Sequence, residues 1–146
     1  MRKLLIVVAT GGLAWLSACG SDGNDRLTLE QFLAQGNEIC VTGDAATQAA
    51  TDELLATQPD AAAFAVFYAD VLAPSIEGQL DDLAALAAPA DIEDEVDKLL
   101  ADARAALDSF SELVASDPEA AFSGDDPFAD IDAQADAIGL TSCGGA

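Results

Sequence analysis

Apolar residues recur at steps of three and four over most of this chain, and no stretch alternates strictly between apolar and polar residues. Helices that bury one face show the first pattern, whereas half-buried strands show the second. The sequence therefore predicts an all-α fold with no sheet. Four amphipathic segments carry the helical pattern: 28–57, 60–86, 89–114 and 126–138.

Residues at the ends of these segments carry the patterns of helix caps and helix breaks. Thr28 and Gln31 have the spacing of a capping box, in which each side chain accepts a hydrogen bond from the other residue's backbone amide. Gly139 follows the fourth segment, where a glycine commonly closes a helix. Pro74 interrupts the second segment. Because proline lacks an amide hydrogen and crowds the preceding turn, we predict a kink or a short break near Ala73.

The connections between the segments predict their arrangement. Two connections are short, and residues 116–127 form the longest one. Short connections place consecutive helices antiparallel, so we predict an up-down-up-down four-helix bundle with the second helix kinked at Pro74. Gly36 and Gly43 lie on the apolar stripe of the first segment. Glycine costs a helix up to ~1 kcal/mol relative to alanine, so we expect a neighbouring helix to approach closely there.

The first nineteen residues carry an export pattern. Arg2 and Lys3 precede thirteen uncharged residues, Leu4 to Leu16, which is shorter than the ~20 apolar residues of a permanent membrane span. A basic start and a short apolar run are typical of a secretory signal. The run ends in Leu16-Ser17-Ala18-Cys19, which resembles the bacterial lipobox. The resemblance implies that Cys19 receives a diacylglyceryl group on its sulfur and becomes the mature N-terminus. The alternative is an ordinary secretory signal with a fortuitous cysteine.

The lipobox pattern divides the chain into three parts. Residues 1–18 are predicted to be the signal peptide, 19–27 the lipidated cysteine with a flexible tether, and 28–146 the α-helical bundle domain. Two acyl chains on one residue give a stable membrane anchor. We therefore expect a lipoprotein on the extracytoplasmic face of a bacterial cell membrane, which it contacts through its lipid.

The charge of the chain is strongly acidic. Asp and Glu number 27 against five Lys and Arg, which gives a formal net charge of −22. Such a charge repels nucleic acid and anionic lipid headgroups at long range, so we expect no nucleic-acid partner. The acids are spread over every segment, which is the distribution expected for solubility or for a salty habitat.

Three cysteines occur in the chain, and Cys40 and Cys143 remain once Cys19 is lipidated. An exported chain meets an oxidising compartment, where a remaining pair of thiols indicates a disulfide. In the predicted bundle the end of the fourth helix lies near the start of the first, which agrees with a bridge between helix 1 and the end of the chain. Two free thiols, or two metal ligands, are the alternatives.

Two short motifs carry a resemblance to a group of proteins. The first motif is Phe32 followed by Asn37-Glu38-Ile39-Cys40, and the second is Gly139-Leu140-Thr141-Ser142-Cys143-Gly144. Both motifs resemble those of small secreted helical lipoproteins of high-GC Gram-positive bacteria. The resemblance covers most of the predicted mature domain, although Gly36 stands where alanine is usual. It implies the helical fold and the Cys40–Cys143 disulfide. It brings no activity and no functional residue.

The residue inventory argues against catalysis and supplies two weak candidate sites. The chain has no histidine, the usual base for a Ser or Cys nucleophile, so we predict no enzyme activity and no cofactor. Closely spaced carboxylates could hold Ca²⁺, although the spacing is not that of an EF-hand and a helix cap explains them equally: Asp125, Asp126, Asp130 and Asp132. Aromatic residues at helical spacing could line a ligand pocket, although core packing is the commoner use of that spacing: Phe64, Phe67, Tyr68 and Phe110.

These observations lead to two functional hypotheses. The first is a non-catalytic, lipid-anchored helical module that contacts another component of the cell envelope. The alternative is a carrier that holds a small apolar or lipid ligand inside the bundle. An enzyme that uses carboxylates is a third and weaker hypothesis, because almost any two acids of this chain could be nominated for it.

Overall fold

The computed structural model describes residues 26–144, and these residues are helical with no strand among them. The prediction of an all-α fold is confirmed. The helices are α1 (Leu29–Ala56), α2 (Ala61–Phe67), a π-helical turn (Tyr68–Leu72), α3 (Ala73–Ala84), α4 (Glu93–Ser116), α5 (Pro118–Ser123) and α6 (Ala129–Ile138).

Helix α1 begins at the predicted capping box. Thr28 Oγ1 accepts a hydrogen bond from the Gln31 amide at 3.2 Å, and Gln31 Oε1 accepts one from the Thr28 amide at 3.0 Å. Two amides at the helix start, which have no partner inside the helix, are thereby satisfied. The predicted capping box at Thr28 and Gln31 is confirmed.

Helix α2, the π turn and α3 form one continuous helix from Ala61 to Ala84. The break expected near Ala73 does not occur. Instead the backbone widens before Pro74, and the Ala73 amide donates to the carbonyl of Tyr68, five residues earlier. A π turn is rare and occurs mostly as a single turn inside an α-helix, and here it ends at Leu72, two residues before Pro74, which cannot donate a backbone hydrogen bond.

The helix Ala61–Ala84 is also apolar enough and long enough to cross a membrane, with a mean hydropathy of 1.2 over its most apolar window. Length and composition do not separate such a span from a helix of a folded domain. In this structure Tyr68, Leu80 and Leu83 of the helix are buried against other helices.

The connection after α4 is more ordered than the sequence predicts. Residues 118–123 form α5, whose start is capped by Asp117: its carboxylate accepts from the Ala120 amide at 3.1 Å. The prediction of one long loop over 116–127 is therefore wrong. Helix α6 begins at Ala129 and not at Asp126. The Asp126 carboxylate accepts a hydrogen bond from the Phe128 amide at 2.9 Å, which stabilises the turn before the helix.

Helix α6 ends as predicted at Gly139, which adopts a left-handed conformation with φ of 102°. The Leu140 amide donates to the carbonyl of Ala135 at 2.9 Å, which completes a Schellman motif. A side chain at residue 139 would be strained in this conformation, so glycine is the residue that allows the chain to turn back here.

Helix α4 is the central element of the described domain, and it packs against α3, α5 and α6. Helix α1 packs against α3, and α2 packs against α5.

Two leucines that the periodicity assigns to the core are instead exposed, Leu29 by 48% and Leu113 by 41%. Leu29 lies in the first turn of α1, at the end of the domain. Beside Leu113, Val114 occupies the core-facing position, 3% exposed.

Two residues just before α1, Arg26 and Leu27, are hydrogen-bonded to the connection between α3 and α4 and to the start of α4. The Arg26 guanidinium contacts both carboxylate oxygens of Glu93 at 2.7 Å and donates to the carbonyl of Ala88 at 2.8 Å. The Leu27 amide donates to the carbonyl of Ala87 at 2.9 Å. The Glu93 carboxylate raises the pKa of Arg26 above its usual value. The chain is therefore attached to the domain from Arg26 onwards.

Candidate functional site: an apolar cleft beside the disulfide

The described residues contain one disulfide. Cys40 in the third turn of α1 is bonded to Cys143, five residues after the end of α6, with a Cα–Cα distance of 5.1 Å. Cys40 is buried and Cys143 is partly exposed. The predicted disulfide is thus present in the structure, and it fixes residues 140–144 against α1.

Asn37 and Gly36 hold the 140–144 segment in place. The Asn37 side chain donates to the carbonyl of Gly139 at 3.1 Å and accepts from the Ser142 amide at 2.7 Å. Leu140 is 1% exposed and lies over Gly36, where a Cβ atom would stand 2.5 Å from its Cδ2 atom. The close approach predicted at Gly36 is confirmed, although the nearest atoms belong to the segment after α6 as well as to Leu83 of α3.

A cleft of about 610 Å³ opens beside this disulfide, between α1, α3, α4, α6 and the 140–144 segment. Its floor is made by buried apolar side chains: Cys40, Leu80, Leu83, Leu99, Leu100, Ala103 and Ala135. Ile76, Phe128 and Ile131 are partly buried and extend the apolar wall toward the surface. At the mouth stands Val41, which is 56% exposed. The volume lies within the ~300–1,000 Å³ of typical small-molecule sites.

The polar groups of the cleft lie at its mouth. Asp44 of α1 and Asp126 before α6 are exposed, and Asp132 of α6 is partly exposed. Gln79, Thr141 and Ser142 complete the polar lining, and no Lys or Arg is among the described residues around the cleft. Gln79 lies directly over Gly43, where a Cβ atom would stand 2.2 Å from its Cδ atom. The close approach predicted at Gly43 is therefore also confirmed.

The basic side chains of the described domain are engaged elsewhere. Arg26 pairs with Glu93, Arg104 contacts Asp81 at 3.0 Å, and Lys98 contacts Asp102 on the outside of α4. Lys98 also donates to Gln134 of α6 at 3.0 Å. The hydrogen bond from Lys98, with a further contribution from Gln134, lowers the pKa of Asp102. These contacts link α4 to α6 at the surface and leave the cleft without a positive group from the described residues.

The aromatic residues predicted as ligand-lining are gathered in a different place. Phe64, Phe67, Tyr68 and Phe110 join Phe122 and Phe128 in one set of rings, called here the aromatic cluster. Ring centroids lie 5.1 Å apart for Tyr68–Phe110 and 4.7 Å apart for Phe64–Phe122, both in edge-to-face geometry. None of the four predicted residues borders the cleft. Only Phe128 belongs to both the cluster and the cleft.

Tyr68 carries the polar group of the aromatic cluster. Its hydroxyl lies 3.2 Å from the hydroxyl of Ser111, which satisfies both groups at a partly buried position. Burial raises the pKa of Tyr68 above its usual value, and the hydrogen bond to Ser111 opposes this effect in part. The cluster therefore resembles ordinary core with one satisfied hydroxyl.

The four aspartates considered for Ca²⁺ do not act as one group. Asp126 and Asp132 border the cleft, whereas Asp125 and Asp130 are exposed and outside it. Among residues 26–144, no three Asp, Glu, Cys or His side chains are placed to hold a metal ion. Asp126 accepts a hydrogen bond from the Phe128 amide in the turn before α6, and the N-cap position of that helix is Phe128. The predicted lipidation site, Cys19, lies outside the described residues.

Sequence periodicity assigns the cleft leucines to the core and gives no sign of a cavity between them. In comparisons with protein-family models, with curated proteins and with solved structures, nothing matches the chain.

Proposed function

We propose that this protein is a lipid-anchored, non-catalytic module on the extracytoplasmic face of a bacterial cell membrane, and that it carries a small apolar ligand in the cleft. The observation that carries this proposal is the cleft itself, whose floor is apolar and buried while its mouth is open to solvent. Burying ~100 Å² of apolar ligand surface there would contribute about 2.5 kcal/mol before the cost of immobilising the ligand.

The proposal places the cleft inside an up-down-up-down bundle whose second helix is kinked at Pro74. The packing of α1 on α3, of α3 on α4 and of α4 on α6 supports this arrangement. The disulfide supports it as well, because it joins the third turn of α1 to the segment that follows α6. In such a bundle a ligand site between facing helices is a common location.

The anchoring part of the proposal rests on the Leu16-Ser17-Ala18-Cys19 motif and on the resemblance to small secreted helical lipoproteins. Its test is the Cys19→Ala variant. We expect this variant to lose membrane retention, measured as its share of the membrane fraction of lysed cells. A variant that stays in the membrane fraction, with unchanged processing, would contradict the anchor and leave the cleft unaffected.

The carrier role is tested by filling the cleft. Ala103 lies on the cleft floor, so Ala103→Phe should occupy space that a ligand would use. Ala106→Phe, one turn further along α4 and outside the cleft, is the matched control. Native mass spectrometry of the intact protein should show an added small-molecule mass in the wild type and in Ala106→Phe. The added mass should disappear in Ala103→Phe, with folding of each variant checked by its melting curve.

Contact with another envelope protein is the second candidate, and one observation favours it. Val66 of α2 is the most exposed large apolar side chain among the described residues, at 61%, and it borders a groove of about 450 Å³ between α2 and α4. If the intact protein carries no small molecule but a crosslinked neighbour is lost in Val66→Asp, the contact role replaces the carrier role.

A further inference from the structure

We infer that the ligand of the cleft is a single-chain amphiphile with a positively charged end, such as an alkylammonium compound. This inference deepens the proposed carrier function and rests on it. The apolar floor would receive the chain, and the acidic mouth would receive the cation.

The mouth presents carboxylates from two sides of the opening. Asp44 projects from α1, while Asp126 precedes α6 and Asp132 lies in its first turn. Acidic side chains are abundant all over this protein, and what distinguishes these three is their position at the mouth of the apolar cleft of about 610 Å³. A cation at the mouth would interact with carboxylates on both sides while the chain attached to it contacts the apolar floor.

The apolar lining of the cleft determines the chemistry of the other end of the ligand. Ile76, Leu80 and Leu100 line it from α3 and α4, and Ile131 lines it from α6. None of these side chains offers a hydrogen bond, so the buried part of the ligand must be hydrocarbon to avoid an unpaired polar group. A volume of about 610 Å³ suits one small molecule with a single chain.

An anionic end is disfavoured by the same residues. A fatty acid would place its carboxylate beside Asp44, Asp126 and Asp132, with no described Lys or Arg on the cleft to compensate. Arg26, Lys98 and Arg104 are each paired with another carboxylate. The formal net charge of −22 adds repulsion at long range, and the effect is greatest at low ionic strength.

The test uses three probes with the same eight-carbon chain: octyltrimethylammonium, octanol and octanoate. The full-length protein is held in nanodiscs of neutral phosphatidylcholine, and empty nanodiscs correct for partition into lipid. Isoleucine methyl resonances report the binding. Ile76 and Ile131 line the cleft and should shift, whereas Ile92 and Ile138 lie outside it and serve as internal controls.

We expect octyltrimethylammonium to bind about tenfold more tightly than octanol and to lose this advantage as salt is added, while octanoate binds most weakly. Asp44→Asn, Asp126→Asn and Asp132→Asn combined should abolish the preference for the cation and retain octanol binding. Asparagine at position 126 keeps an oxygen for the Phe128 amide.

A matched control removes three charges elsewhere: Glu53→Gln, Asp91→Asn and Glu112→Gln, which are exposed and outside the cleft. This variant should keep the full preference for the cation. If octanol and octanoate bind as well as the ammonium probe, or if the cleft variant keeps its preference, the cationic ligand is ruled out and the carrier function stands. If no probe moves Ile76 or Ile131, both the carrier function and the ligand class are overturned.

Discussion

The domain has two apolar regions that differ in how fully they are packed. The aromatic cluster joins α2, α4 and α5, and its rings meet at centroid distances of 4.7 to 6.5 Å. The cleft region joins α1, α3, α4 and α6 through leucine, isoleucine and alanine side chains, and an opening of about 610 Å³ remains between them. Both regions share α4 and Phe128, so the difference arises from what covers each end.

The cover explains the contrast. Over the aromatic cluster, α5 contributes the Phe122 ring, which contacts the rings of Phe64, Tyr68 and Phe110. Over the cleft lies the 140–144 segment, which is held by one disulfide and by Asn37 and fills only part of the space. Rings that meet edge to face fill a region that smaller aliphatic side chains leave open. The sequence feature most suggestive of a pocket therefore marks the packed region.

The disulfide is the bond whose removal should change the cleft region most. Replacing both Cys40 and Cys143 with alanine should lower the free energy of unfolding by about 4–5 kcal/mol in the chain-entropy model, since the bridge joins residues 103 apart. Urea unfolding measures the loss. Hydrogen exchange should rise around α6 and the 140–144 segment before it rises around α5. Equal increases in both regions would show that they do not differ in cohesion.

Two phenylalanines allow a direct comparison of the two regions. Phe110 is 9% exposed and contacts three rings of the aromatic cluster, so Phe110→Ala should cost about 3–5 kcal/mol. Phe128 contacts only the Phe110 ring and already borders the cleft, so Phe128→Ala should cost about 2 kcal/mol. Chemical denaturation of both variants gives the ranking, and a larger cost at Phe128 would reverse the comparison.

Gly36 and Gly78 test the close packing at the edge of the cleft region. A methyl group at residue 36 would lie 2.5 Å from Leu140 Cδ2, so Gly36→Ala should destabilise the protein by about 1–2 kcal/mol despite its better helix propensity. Residue 78 has open space around it, so Gly78→Ala should stabilise α3 by up to ~1 kcal/mol. Melting temperatures should therefore move in opposite directions. Adding Leu140→Ala to Gly36→Ala should remove the clash, and strictly additive effects would argue against the contact.

The pH dependence of stability should separate the regions by the smallest margin. The pKa of Tyr68 is raised in the folded state. Its contribution to the free energy of unfolding is therefore complete below pH ~10 and is lost as pH rises through the pKa of the folded state. The pKa of Asp102 is lowered in the folded state. Its contribution to the free energy of unfolding is therefore present above pH ~4 and is lost as pH falls through the pKa of the folded state. The measurement is the melting temperature as a function of pH for the wild type, Tyr68→Phe and Asp102→Asn. Tyr68→Phe should reduce the loss of stability at high pH only, and Asp102→Asn should reduce the loss at low pH only.

Much of the helical framework follows from local sequence. The capping box at Thr28, the closing glycine at 139 and the cysteine pair are each readable because neighbouring residues or a simple count determine them. Helix α5 was missed because six residues are too short to show periodicity. Asp117 followed by Pro118 is the local pattern that predicts it, since the first caps a helix and the second suits its first turn.

The cleft could not be predicted in the same way. Ile76, Leu100 and Ile131 have the spacing of core residues whether or not space remains between them. The volume depends on side chains from four helices and on the position of residues 141–144, which are properties of tertiary packing. The aromatic residues left both alternatives open for a related reason: ring size indicates burial and does not indicate whether a neighbour fills the adjoining space.

The attachment at Arg26 has a mechanical consequence. A force applied to the chain before Arg26 reaches the domain first through the Arg26 guanidinium and the Leu27 amide. These groups transmit it to the backbone at Ala87 and Ala88 and to Glu93. The load thus enters at a connection between two helices and bypasses the capped first turn of α1. These contacts would resist unravelling of the domain from its N-terminal side.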